Sequence, residues 1–209
     1  ECSRMGIKIL KPNILRSSKF FKVNEDLEIE FGLGAIKGVA DNFIDHVCLE
    51  RENLNFKDIW DFSKKVDIKI GGKRSLESLC QSGAFDKLAP SRAIALASIK
   101  DILKVNSANS SNSNLQSINL LESLQDDIDP FERYQDIQQL TESKKLQLEK
   151  KSLGYYLSGH PVLALENKVR IIRSKKIKEL NNDIKKATLV CLINNIRQTK
   201  DRKGKPLTF

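Results

Sequence analysis

The feature that most constrains this chain is the run Asn106-Ser107-Ala108-Asn109-Ser110-Ser111-Asn112-Ser113-Asn114. Serine and asparagine bring too little apolar area to offset the entropy of ordering a backbone. The run therefore reads as the start of a flexible linker, over residues 106–139, and the acidic stretch Glu122 to Asp136, broken at Pro130, continues it. Any core has to form on either side of this stretch. In a chain of 209 residues, each side is long enough to bury one without disulfide staples.

Charge divides along the same boundaries. The chain carries 36 basic and 27 acidic residues, a net +9, but residues 24–66 are net −5, residues 105–142 net −6 and residues 143–209 net +12. Basic fields attract polyanions through counterion release and carry no sequence preference. No apolar run approaches the roughly 18 residues needed to span a bilayer, so no membrane role is expected. The start at Glu1-Cys2-Ser3-Arg4 has no signal-peptide core, and an end at Phe209 inside an apolar run reads as a piece of something longer. Cys2, Cys48, Cys80 and Cys191 form no paired ligand spacing. With only His46 and His160 to help, they read as ordinary thiols of a reducing cytosol, giving a cytoplasmic expectation.

Before the linker the periodicity is helical. Ile59, Phe62 and Val66 share one face, with Trp60 off that stripe as a packing residue. Leu76, Leu79 and Cys80 make a second face. Ile94, Ala97, Ile99, Ile102 and Leu103 make a third, after Pro90 at the expected N1 position. After the linker, Thr141 to Leu157 reads as a Lys-rich helix with its stop at Gly159 and Pro161. Ala187–Ile193 is β-prone, and Lys203-Gly204-Lys205 reads as a turn into Pro206-Leu207-Thr208-Phe209.

Two glycine junctions precede helices. In Phe31-Gly-Leu-Gly-Ala-Ile-Lys-Gly-Val39-Ala40, Gly38 allows close backbone approach and Lys37 adds charge, so the next helix can offer N–H groups to a phosphate. In Ser82-Gly83-Ala84-Phe85-Asp86-Lys87, Gly83 makes the turn while Lys87 and Arg92 flank the new helix start. Asp41, Asp45, Glu50 and Glu52 oppose a duplex at the first junction, so on charge the second is expected to be the better contact.

These two junctions, the opening Glu1-Cys2-x-Arg4-x-Gly6-Ile7 with Leu10-x-Pro12, and Leu153-Gly-Tyr-Tyr-Leu-Ser-Gly-His-Pro161 occur in an order that closely resembles the C-terminal half of bacterial replicative DNA polymerase III alpha subunits. The resemblance implies a mainly α chain. Residues 1–28 would end the fingers domain, and 29–105 would form a tandem helix-hairpin-helix domain gripping product duplex. Residues 106–139 would be the linker, 140–184 a helical connector and 185–209 the first strands of an OB-fold. The implied duplex contacts are Lys37, Gly38, Val39, Ala40, Gly83, Ala84, Lys87 and Arg92. Ala40 and Ala89 stand where the family usually or often has glycine.

Within the linker, Leu115-Gln116-Ser117-Ile118-Asn119-Leu120-Leu121 is an apolar island. By the same resemblance, Gln116, Leu120 and Leu121 would dock on a ring-shaped sliding clamp, as a short linear motif can. Asp126-Asp127-x-Asp129 lacks a rigid scaffold for a metal, and His160 lacks a nearby nucleophile. The segment is therefore expected to hold no catalytic residue, metal or cofactor. The resemblance puts the magnesium-binding aspartates in a palm upstream, in a parent that would add deoxynucleotides to a primer 3′ end beside other replicase subunits. Two competing expectations are a stand-alone helix-hairpin-helix DNA-binding or repair protein, and a nuclease built on the acidic linker.

Overall fold

A computed structural model describes Cys2, residues 4–111 (side chains to 107), 129–162, 175, 179–181, 183–193, 195–202 and 204–208. The chain forms two compact units, 1–158 and 159–209. Of the first unit's residues, Phe31, Phe43, Phe62 and Phe85 are fully buried. Each contributes on the order of 2 kcal/mol of hydrophobic stabilisation.

Three two-residue strands open this unit: β1 (Ile9–Leu10), β2 (Lys22–Val23) and β3 (Ile29–Glu30). β3 lies between the other two, parallel to β1 and antiparallel to β2, with Ile29 opposite both Ile9 and Val23. A single 3₁₀ turn, Leu33–Ala35, then leads to helix α1 (Asp41–Asn53), which buries Phe43, Ile44 and Val47. Helix α2 (Ile59–Lys65) starts where the Asp58 carboxylate accepts the N–H groups of Trp60 and Asp61, both at 2.8 Å. It buries Ile59 and Phe62, the expected stripe. Phe62 meets Phe56 and Phe85 edge-on at 5.0 and 5.1 Å, joining α2 to the second glycine junction. Trp60 packs against the core, as expected of it.

Helix α3 (Gly72–Ser82) buries Leu76, Leu79 and Cys80 and ends at Gly83. Helix α4 (Arg92–Ser111) packs against both α2 and α3. Its start differs from expectation. The Ser91 hydroxyl accepts the Ile94 N–H at 3.2 Å and so caps the helix, which places Pro90 outside it rather than at N1. Its end differs too, because the backbone stays helical to Ser111, through the first part of the Ser/Asn run. Asn106 donates to the Ile102 and Ser63 carbonyls, so tertiary contact carries the helix past the point where propensity fails.

The far end of the expected linker is also part of this unit. A 3₁₀ turn, Glu132–Tyr134, buries Tyr134, whose hydroxyl donates to Asp101 of α4 at 2.8 Å. Phe131 packs against the core beside it. Helix α5 (Glu142–Leu153) begins at Thr141, whose hydroxyl accepts the Lys144 N–H, and packs on α3. It stops at Gly154, φ +92°, and not at Gly159, because the left-handed position at 154 lets that amide close on the Lys150 carbonyl at 2.8 Å.

In the second unit, β4 (Gln198–Lys200) pairs antiparallel with β5 (Pro206–Thr208). Gly204, φ +78°, makes the expected turn, its N–H donating to the Asp201 carbonyl at 3.0 Å. Among the described residues, the expected strand over Ala187–Ile193 is not paired into a sheet, and its Leu189, Leu192 and Ile193 side chains are exposed.

Candidate nucleic-acid interface

At the first junction, Gly38 adopts φ +87° with its Cα against α3. A Cβ there would lie 2.9 Å from Ser78 Oγ and 3.0 Å from Arg74 Nε. The glycine is thus needed for packing inside the protein. The amides divide accordingly. Val39 N–H donates to the Ile36 carbonyl at 3.3 Å, Lys37 N–H to the Ser152 carbonyl at 2.8 Å, and Ala40 N–H to Ser75 Oγ at 3.2 Å. Among the described residues, no protein acceptor takes the N–H of Gly38, Asp41 or Asn42. Asp41, Asn42 and the Lys37 side chain are exposed. The start of α1 therefore presents unpaired amides and the positive end of a helix dipole beside one lysine.

Ala40 is the N-cap residue of α1, at φ −79° and ψ 135°, an ordinary extended conformation. Alanine meets no backbone strain at this position. The acidic residues are partly compensated: Lys19 Nζ lies 2.8 Å from Asp45 and 3.7 Å from Asp41. Its hydrogen bond to Asp45 raises the Lys19 pKa above the ordinary lysine value. The trio still carries one net negative charge next to the amides.

The second junction is arranged differently. Gly83, φ +86°, is buried and spends its N–H on the Cys80 carbonyl at 3.1 Å. The Ala84 N–H donates to Leu79 at 3.0 Å, and the Ala84 carbonyl accepts from Ile14 N–H at 3.0 Å. Arg92 is 7% exposed and is held by Asp86 and by the Gln81 carbonyl. A left-handed helix cap closes its own hydrogen bonds, so Gly83, Ala84 and Arg92, expected as DNA contacts, are structural in this arrangement. Only Lys87 of that group is exposed, and no carboxylate pairs with it among the described residues. Of the two cations expected to favour this junction on charge, Lys87 and Arg92, the second is turned inward against Asp86.

Sequence reading missed the role of the turn after α5. Glu149 is 1% exposed, and its carboxylate accepts the Leu157 and Ser158 N–H groups at 2.8 Å each and the Ser158 hydroxyl at 2.5 Å. Phe31 sits between Phe21 at 4.8 Å and Tyr155 at 6.2 Å, tying this turn to the first junction. A polar cavity of about 300 Å³ lies between α5 and the second junction. Lys11, Arg92 and Lys145 line it together with Asp86, Glu142 and Glu149, so it has no excess of either charge.

Gln116, Leu120 and Leu121 lie outside the described residues, as do Asp126 and Asp127. Asp129 serves a local turn, accepting the Phe131 N–H at 2.9 Å. Among the described residues no three His, Cys, Asp or Glu side chains are grouped to hold a metal ion, and no helix is long and apolar enough to cross a membrane. Cys2, Cys48, Cys80 and Cys191 are free thiols, and burial pushes the Cys80 thiol pKa far above its ordinary value.

The helix-hairpin-helix motif family matches residues 6–95, which hold both glycine junctions. The chain is 30% identical over its whole length to the DNA polymerase III subunit alpha of Pseudomonas aeruginosa, spanning 19% of that protein. It is 34% identical to that of Haemophilus influenzae, with 99% of this chain and 18% of the relative covered. For Escherichia coli K12 the identity is 37%, over 78% of this chain and 14% of the relative. The chain is therefore homologous to a segment of the bacterial DNA polymerase III alpha subunits, under a fifth of their length, and itself matches the helix-hairpin-helix motif.

Proposed function

We propose that this segment grips duplex DNA through its phosphates, as part of a replicative polymerase that extends primers on a template in the bacterial cytoplasm. The observation that carries the reading is the start of α1, where the amides of Gly38, Asp41 and Asn42 stand unpaired beside the exposed Lys37. Gly38, Val39 and Ala40 shape this turn, and Lys87 supplies a second cation from the other junction. Gly83, Ala84 and Arg92 support the fold that presents them. Contacts of this kind hold a duplex without reading its sequence, which suits a protein that moves along its product.

In this reading residues 1–28 end a fingers domain and 29–105 grip the duplex, with α4 continuing beyond that boundary. Residues 140–184 connect to an OB-fold that begins near 185, and the β4–β5 hairpin belongs to it. The segment supplies no catalytic residue. Primer extension by the segment alone, with template-dependent incorporation, would refute this.

Duplex binding measured by fluorescence anisotropy across a salt series tests the grip. Lys37→Ala and Lys87→Ala should each weaken binding equally for unrelated sequences and lower the logarithmic salt slope by about 0.9 per lost phosphate contact. Sequence-selective loss, or an unchanged slope in both variants, contradicts the mechanism.

Gln116, Leu120 and Leu121 form the proposed clamp-docking peptide. Replacing all three by alanine should abolish retention on an immobilised sliding clamp and leave duplex affinity unchanged. Retention equal to that of the unaltered chain removes the assignment.

A further inference from the structure

We propose that Glu149 is a positioning residue for the duplex grip. Its buried carboxylate fastens the turn 154–158, and that turn with the end of α5 sets Lys37 in place. The proposal rests on the phosphate-grip reading and extends it to residues 142–158, outside the part matched by the helix-hairpin-helix motif.

Three contacts connect the two places. The Lys37 N–H donates to the Ser152 carbonyl, one of the last-turn carbonyls of α5 that has no partner within its own helix. The Lys37 side chain runs directly over Gly154, where a Cβ would lie 2.9 Å from Nζ and 3.2 Å from Cε. Any other residue at 154 would push the ammonium away. The third contact is Phe31 against Tyr155, at the base of the same turn. Lys37 thus lies at the negative end of the α5 dipole, which favours its charged head at that spot.

Glu149 explains why the turn holds this shape. A buried carboxylate is costly unless its oxygens are satisfied, and here Leu157 and Ser158 supply the donors. The carboxylate draws the chain back against α5 just after the left-handed Gly154, φ +92°. Without it, two amides lose their acceptor and the turn can leave Lys37. A helix face alone would need no such anchor.

The test uses the 209-residue chain and a fluorescent duplex in a salt series. Glu149→Ala should weaken binding roughly fivefold and lower the salt slope toward that of Lys37→Ala, the loss of about one phosphate contact. The double variant Glu149→Ala with Lys37→Ala should bind no worse than Lys37→Ala alone. Glu149→Gln, whose amide oxygen can still accept both N–H groups, should restore near-unaltered binding. If Glu149→Ala does not fold, Glu149→Asp replaces it in the same cycle, since its shorter carboxylate keeps the charge and falls short of the Leu157 and Ser158 N–H groups. Additive losses, or an unchanged salt slope in the folded variant, overturn the proposal while the grip itself stands. If the unaltered chain binds no duplex, the grip reading and this proposal fall together.

Discussion

Arg92 holds Asp86 with two parallel contacts, Nη2 to Oδ2 at 2.6 Å and Nε to Oδ1 at 3.1 Å, and donates a third hydrogen bond to the Gln81 carbonyl at 3.3 Å. The arginine side chain is 5% exposed and the aspartate 40%. This pair locks the start of α4 to the turn that ends α3. A cation beside a predicted phosphate site is thereby spent on the fold.

Arg92→Ala should therefore act on stability. Removing one partner of a fully buried pair costs roughly 3–5 kcal/mol, but Asp86 can rehydrate, so a loss of about 2 kcal/mol is expected. Urea unfolding followed by circular dichroism measures it. Under conditions where the variant is folded, its salt slope for duplex binding should match that of the unaltered chain. A lowered slope would return Arg92 to the interface.

Gly38→Ala should destabilise by about 2 kcal/mol, from the left-handed backbone and the forced contact with α3. The crowding comes from Ser78 and Arg74, so shortening a neighbour should relieve part of it. The double variant Gly38→Ala with Arg74→Ala should recover some of the lost urea midpoint. No recovery would assign the cost to backbone strain and to Ser78, and not to Arg74.

The Tyr134–Asp101 contact gives a pH signature on each side. The tyrosine hydroxyl is the main reason that Asp101 titrates below the ordinary carboxylate range, followed by Lys104. A depressed carboxylate adds stability that is present above the unfolded-chain value and lost as pH falls through the folded one. Burial, then the Asp101 hydrogen bond, pushes Tyr134 up to about 12, so its contribution is present below about pH 10 and lost as pH rises towards 12. In Tyr134→Phe, nuclear magnetic resonance titration should show the Asp101 carboxyl moving up towards its ordinary value. An unmoved titration would assign the shift to Lys104 and Arg133 instead.

Local chemistry was legible where a helical or hairpin pattern repeats over several residues. The stripe Ile59 and Phe62, the apolar face Leu76–Leu79–Cys80 and the turn at Gly204 follow from spacing alone, because helix and hairpin geometry repeat over a few residues. The ordered motifs likewise pointed to a polymerase III alpha segment before any coordinates. The ends of elements were less legible. Pro90 lost the N1 position to a Ser91 cap, α5 stopped at Gly154, and α4 continued past Asn106, whose side chain reaches the Ser63 carbonyl far away in sequence.

By itself, the sequence determined which residues could be helical, which glycines could turn, and that the chain carries a basic excess suited to a polyanion. Only the tertiary structure decided which of those charges face outward. Arg92 and Lys87 are equivalent as letters, yet one is buried against Asp86 and the other is exposed. Glu149 reads as one acid in a Lys-rich helix, and folding makes it the acceptor that holds the turn beside Lys37. The reason is physical: a charge's partners and solvation depend on residues brought close through space, and spacing along the chain carries no record of them.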